Sequence, residues 1–259
     1  MNRALIIGND GYESCPLRGC INDAYEFGER LDDLGVVSDE EQIVIADATL
    51  DQMVSGLSSI VADSAPGDTA VIFYSGHGSY VRDTNGDEPD RRDECLVPID
   101  YETAGMLIDD EIQIRIQELK PDVHLEIFMD SCFSGSVTRA VVEGVNIRPA
   151  PRFLIPRNPV KALYGKVKPV FKQTITVKNS NHVLWSACKP NQVSNEVEFN
   201  GVPRGAFTYA FLDALEKLGP GAARNVLVRN TMREIKNMGL IQTPVLECKK
   251  AEIIKAVFV

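Results

Sequence analysis

The sequence predicts an α/β fold, a mostly parallel sheet sandwiched between helices on both faces. Three observations carry this expectation. Short apolar runs rich in Val and Ile alternate along the chain with segments whose apolar residues recur every three or four positions. The apolar runs are nearly continuous, as strands buried on both faces are. The two kinds of segment follow one another from end to end, an order that builds parallel strands through crossover helices. A chain of 259 residues can form one domain of this class, 1–259, and bury its core without disulfide or metal staples.

The expected strands are Ala4–Gly8, Gln42–Ala46, Ala70–Ser75, Leu125–Met129 and Val183–Ala187, with the shorter Pro244–Cys248 as a sixth. The first helix is expected over Asp23–Leu34, apolar at Ala24, Phe27, Leu31 and Leu34, with Gly35 where a C-cap belongs. Leu50–Ala62 and Asp109–Leu119 repeat the spacing, the latter with an acidic first turn that suits the helix dipole. Phe207–Leu218 and Val226–Met238 complete the set.

Two segments break the pattern. Arg82–Glu111 holds eleven acidic residues and three Arg. Val137–Ser180 holds nine Lys or Arg, one Glu and five of the fourteen prolines, so it reads as a basic, Pro-rich insertion at about 137–180 and not as a core element.

Composition narrows the function classes. Six cysteines (15, 20, 95, 132, 188 and 248) form no CxxC pair, and three His are present, so a structural zinc site is not expected. The four-residue apolar stretch near the N-terminus is too short for a signal-peptide core, and no run approaches the ~18 residues of a membrane span. A cytoplasmic protein with reduced thiols and no membrane partner is expected. Net charge −10 disfavours nucleic acid as a partner. Neither GxxxxGK[ST] nor GxGxxG occurs, and no organic cofactor is expected.

In open α/β sheets function collects beyond the carboxyl ends of the strands. One such end reads Tyr74-Ser75-Gly76-His77-Gly78, the other Met129-Asp130-Ser131-Cys132-Phe133-Ser134-Gly135. If these strands are neighbours, His77 and Cys132 face one crevice. A Cys–His pair is the minimal nucleophile and acid/base set for acyl transfer, and glycines beside His77 permit close backbone approach. Taken singly, a strand-end Cys is more often a small buried hydrophobe and a lone His more often structural.

The string Pro16-Leu17-Arg18-Gly19-Cys20-Ile21-Asn22-Asp23-Ala24, followed by the two strand ends, resembles the metacaspases and the related orthocaspases. Gly86-Asp87-Glu88, Asp93-Glu94-Cys95-Leu96-Val97-Pro98-Ile99-Asp100, Leu107-Ile108-Asp109-Asp110-Glu111 and Gly205-Ala206-Phe207-Thr208-Tyr209 follow in family order. The resemblance implies a caspase-like sheet and a cysteine endopeptidase in which Cys132 attacks the scissile carbonyl. His77 would assist the thiolate and protonate the leaving amine, and the backbone N–H groups of Gly78 and Cys132 would hold the oxyanion. It also implies that Cys20, Asp23, Ser75 and Asp130 line a pocket for a P1 Arg or Lys of protein or peptide substrates.

Asp130 has an independent rationale. It lies two residues before the nucleophile, on the same strand face, where its charge would hinder thiolate formation. Recognition of a substrate cation supplies a reason for the placement. Asp23 could equally be an N-cap. Arg18 would suit an Asp-specific pocket, but Asp23 and Asp130 would repel an acidic substrate.

Many metacaspases use calcium, and Asp93, Asp109 and Asp110 match three of its acidic ligand positions. Arg139 stands where a fourth is expected, which should weaken the site. Asp109 and Asp110 could also serve only the helix N-terminus. Control by calcium, by self-cleavage, or by an anionic small-molecule or protein activator docking on the basic insertion all remain open. So does a catalytically inactive caspase-like interaction module.

Overall fold

The computed structural model describes residues 1–82, 92–133, 150–154 and 182–259. β1 (Arg3–Gly8) is followed by α1 (Cys20–Asp33), β2 (Gln42–Ala46), α2 (Leu50–Asp63) and β3 (Thr69–Ser75). β4 (Gly78–Arg82), β5 (Arg92–Leu96), the single turn α3 (Tyr101–Ala104), β6 (Leu107–Ile108) and α4 (Asp109–Ile116) come next. Then come β7 (His124–Asp130), β8 (Ala150–Pro151), β9 (His182–Ser186), β10 (Asn195–Phe199) and β11 (Val202–Gly205). α5 (Ala206–Leu218), α6 (Arg224–Asn237) and β12 (Val245–Glu247) end the order.

The central sheet runs β12-β9-β7-β3-β1-β2. All its neighbours are parallel except the edge strand β12 against β9. Successive side chains on a strand point to opposite faces, and the core divides accordingly. Ala4, Ile6, Val71, Phe73 and Phe128 pack on Phe27 and Leu31 of α1, Phe207 and Phe211 of α5 and Leu227 of α6. Leu5, Ile7, Ile72 and Ile127 pack on Met53, Leu57 and Ile60 of α2 and Ile112 of α4. Each expected strand and helix is present, and helices cover both faces.

Helix α1 begins at Cys20, before the expected Asp23. The Asp10 carboxylate, on the loop leaving β1, accepts the N–H groups of Cys20 and Ile21 at 2.9 and 3.2 Å. Donors that a local cap would satisfy are thus met by a residue ten positions away, which no local pattern reveals. Asp23 lies inside the first turn and is not the N-cap. Gly35 follows the C-cap at φ +63° and donates to the Asp32 carbonyl, as its expected role requires. α4 stops at Ile116 because its last turn tightens: Glu118 and Leu119 bond three residues back, to Arg115 and Ile116.

Two small antiparallel sheets, β4-β5-β6 and β11-β10-β8, were not expected. Their strands are short, two to five residues each, and β5 lies in the acid-rich stretch. The expected insertion at 137–180 lies outside the described residues apart from segment 150–154.

Candidate active site

β3 and β7 are hydrogen-bonded neighbours, in register with Ser75 opposite Asp130. His77 and Cys132, each two residues beyond this rung, therefore leave the sheet at the same level. Both are buried. His77 Nε2 lies 2.7 Å from the Cys15 carbonyl oxygen. A carbonyl can only accept, so Nε2 carries the proton and Nδ1 presents a bare lone pair. Nδ1 has no hydrogen-bond partner among the described residues. The Tyr12 hydroxyl accepts the His77 N–H at 3.1 Å, and the Tyr74 hydroxyl donates to its carbonyl at 2.7 Å.

Burial pulls the His77 pKa down to about 4, against the opposing hydrogen bond to Cys15. Burial pushes the Cys132 thiol up to about 12. The pair is thus held as thiol and neutral imidazole, and forming thiolate–imidazolium requires water or substrate dipoles to enter.

The N–H groups of Gly78 and Cys132 converge on one acceptor, the carbonyl of Arg152, at 3.0 and 3.3 Å. A Cβ on Gly78 would lie 2.2 Å from the Cys132 carbonyl oxygen. Glycine is needed there so that the nucleophile's own loop can approach.

The four residues expected to line a pocket surround one buried guanidinium. Arg152 Nη2 donates to Asp23 at 2.7 Å. Its Nη1 donates to Ser75 Oγ at 2.7 Å and lies 3.1 Å from Asp130 Oδ1. Ser75 in turn donates to Asp23 at 2.8 Å. The Cys20 thiol, raised by burial, feels the Arg152 charge and the Ser75 hydroxyl. Asp23 is pushed up to about 7 by burial, with Arg152 pulling down and Asp130 pushing further up.

Several residues of this site escaped the sequence reading. Ser194 Oγ and Thr208 Oγ1 each donate to Asp130 at 2.6 Å, and the Gly205 N–H donates to Asp23 at 3.0 Å. A Cβ on Gly205 would fall 2.1 Å from Asp130 and 2.4 Å from Arg152. The Gly205–Tyr209 string is part of the family resemblance, so a signal for Gly205 and Thr208 existed. Arg152 had none beyond being one of nine cations in the basic segment. Arg18 is 64% exposed and lies 3.6 and 3.7 Å from Glu196 and Glu198, not at the pocket carboxylates.

Asp93 lies on β5, and Asp109 and Asp110 open α4. Burial raises Asp109 to about 7, and the charges of Glu94, Asp110 and Asp93 add to it. Arg139 lies outside the described residues. The carboxylates of Asp93, Asp109 and Asp110 are not the group of described residues whose ligand atoms converge within 4.8 Å. That group is Asp10, Cys20 and Glu196. Their carboxylates already accept the N–H groups of residues 18–21 and serve the start of α1. No helix among the described residues is long and apolar enough to cross a membrane.

Comparison with known proteins bears on this arrangement. The model of the metacaspase peptidase C14 domain matches residues 2–140. Metacaspase-1A of Aspergillus niger is 30% identical over 95% of this chain and 70% of its own. Metacaspase-1 of Ajellomyces capsulatus is 29% identical over 95% of this chain and 79% of its own. The crystal structure of a Geobacter sulfurreducens protein shares the fold, with a TM-score of 0.70 at 22% identity, covering 100% of this chain and 98% of that one. With a six-stranded sheet whose adjacent strands β3 and β7 lead to His77 and Cys132, and a family match over more than half its length, the chain belongs to the metacaspases, caspase-like cysteine peptidases.

Proposed function

We propose that the protein is an endopeptidase that cleaves proteins after Arg or Lys, using Cys132 as nucleophile and His77 as acid and base. The observation that carries this reading is the buried cluster in which Asp23, Asp130 and Ser75 hold a guanidinium beside the Cys132 loop. A pocket with two carboxylates takes a cation and rejects a P1 aspartate. His77 Nδ1 would accept the Cys132 proton as sulfur attacks, with the tautomer held by Cys15. The N–H groups of Gly78 and Cys132 would take the developing oxyanion, and imidazolium would protonate the departing amine. Calcium, held by Asp93, Asp109 and Asp110, would neutralise the charge crowded at the start of α4. An anionic activator docking on the basic segment is a further route of control.

A peptide panel varying P1 among Arg, Lys, Asp and Leu tests this, run on the full chain and on Cys132→Ala, with and without calcium. Hydrolysis of Arg and Lys peptides only, lost in Cys132→Ala, is expected. A preference for P1 Asp, or equal turnover by Cys132→Ala, overturns the reading.

A further inference from the structure

Strand β4 begins at the residue after His77, and its outer edge holds an extended peptide. The Gly78 N–H donates to the Arg152 carbonyl, and the Gly78 carbonyl accepts the Leu154 N–H, both at 3.0 Å. This is the bridge of a parallel strand pair, with Phe153 opposite Gly78. Ser79 Oγ donates to the Leu154 carbonyl at 2.7 Å. Backbone bonds of this kind accept any sequence, and choice falls to the side chains between them.

Phe153, bracketed by the two Gly78 bonds, packs against Cys132, Cys188 and Val193. Its ring stacks on Tyr80 with centroids 5.9 Å apart and planes 26° from parallel. Successive residues of an extended chain point to opposite sides. Leu154 accordingly turns away and is buried in the cluster of Val81 and Cys95. The Arg92 guanidinium lies over the Tyr80 ring, 4.1 Å from its centroid, and helps to hold it in place.

The carbonyl that faces the Gly78 and Cys132 N–H groups sits where the proposed oxyanion would form. The residue that follows such a carbonyl is on the leaving-amine side, P1′, and the next is P2′. We propose that Gly78–Tyr80 docks the leaving-amine side of protein substrates, and that Tyr80 selects an aromatic residue at P1′. The proposal rests on the Arg/Lys endopeptidase reading and adds a second specificity element to it. The substrate class is a basic residue followed by an aromatic and then an aliphatic one. An aromatic P1′ ring gains the stacking and covers Cys188 and Val193, alanine leaves the subsite unfilled, and an aspartate loses its hydration there.

The test uses internally quenched peptides of one sequence, with Arg at P1 and Leu at P2′, varied at P1′ among Phe, Leu, Ala and Asp. The full chain is expected to show kcat/KM for Phe about tenfold above Ala, with Leu between them and Asp lowest. Tyr80→Ala is expected to bring the Phe-to-Ala ratio within about twofold, and Tyr80→Phe, which keeps the ring, to preserve it. A ratio measured within one protein does not depend on how much of that protein is folded. Equal hydrolysis of all four peptides, or a Phe-to-Ala ratio that survives Tyr80→Ala, overturns the inference and leaves the Arg/Lys activity standing. A preference for Asp also overturns it and assigns the selection to the Arg92 charge. A chain that hydrolyses no P1-Arg or P1-Lys peptide overturns the proposed activity and the inference with it.

Discussion

Two arginines of this protein are fully buried against carboxylates of β7, at opposite ends of one strand face. Arg224 meets Glu126 at the start of the strand, and Arg152 meets Asp130 at its finish. The Arg224 guanidinium is bonded throughout. It reaches Glu126 at 2.8 Å, His124 at 3.0 Å, the Glu252 carbonyl at 3.1 Å and the Val259 carbonyl at 2.8 Å. Glu126 also accepts from Trp185, and although burial pushes its carboxyl up, His124 and Arg224 hold it below the ordinary value. Arg152 is less complete. Its Nε has no partner among the described residues, it faces two carboxylates, and Asp23 beside it sits at about 7. The two guanidiniums thus differ in how fully they are met: each nitrogen of Arg224 has a partner, whereas Arg152 keeps one donor without any among the described residues.

The largest expected effect tests whether the Arg152 end holds chemistry at all. Cys132→Ala should lower kcat/KM for P1-Arg peptides by about 10⁴-fold or more, with an unchanged circular dichroism spectrum, and His77→Ala should approach it. Next, the two ties should differ in stability. In urea titrations Arg224→Met should cost about 3–5 kcal/mol, because Glu126 is left buried and unpaired. Arg152→Gln, made in the Cys132→Ala background, should cost less than half as much, because the freed segment can withdraw and let water reach Asp23 and Asp130. Equal losses would make Arg152 a tie like Arg224.

The third effect is on pH. His77 falls from an ordinary 6.5 to about 4 in the folded chain. Between these values the unfolded chain binds a proton that the folded chain refuses, so stability rises with pH. The contribution is complete above about pH 6.5 and lost as pH falls through about 4, and it amounts to about 3 kcal/mol. His77→Gln should flatten this limb of a urea-midpoint profile. The smallest effect is on recognition. Asp130→Asn should lower kcat/KM for P1-Arg peptides about 10²-fold while sparing the fold, since Thr208 can still donate to the amide oxygen and the Ser194 hydroxyl can turn to accept from the amide NH2. A loss equal for Arg and neutral P1 peptides would remove the pocket from specificity.

The two ends of β7 also differ in what the sequence disclosed. Phe73 and Phe128 declared buried strands by their apolar company, and Ser75, His77, Asp130 and Cys132 stood at the strand ends in recognisable strings. Glu126 and Arg224 carried no signal, because a buried ion pair 98 positions apart leaves no local trace. The small strands β4, β5, β6, β8, β10 and β11 were missed for a related reason: too short to show a period, they are held by partners and not by propensity.

The amino-acid sequence by itself determined the alternation of strands and helices, the division of the core between two sheet faces, and the residue types at two strand ends. These are local properties, set by period and by the chemistry of neighbouring residues. Only the tertiary structure decided that Asp10 starts α1, that Cys15 sets the tautomer of His77, and that Arg152 lies in the pocket with its carbonyl on the N–H groups of Gly78 and Cys132. Each of these joins groups through space, where the cost of burying an unmatched donor or charge selects the partner and sequence separation plays no part.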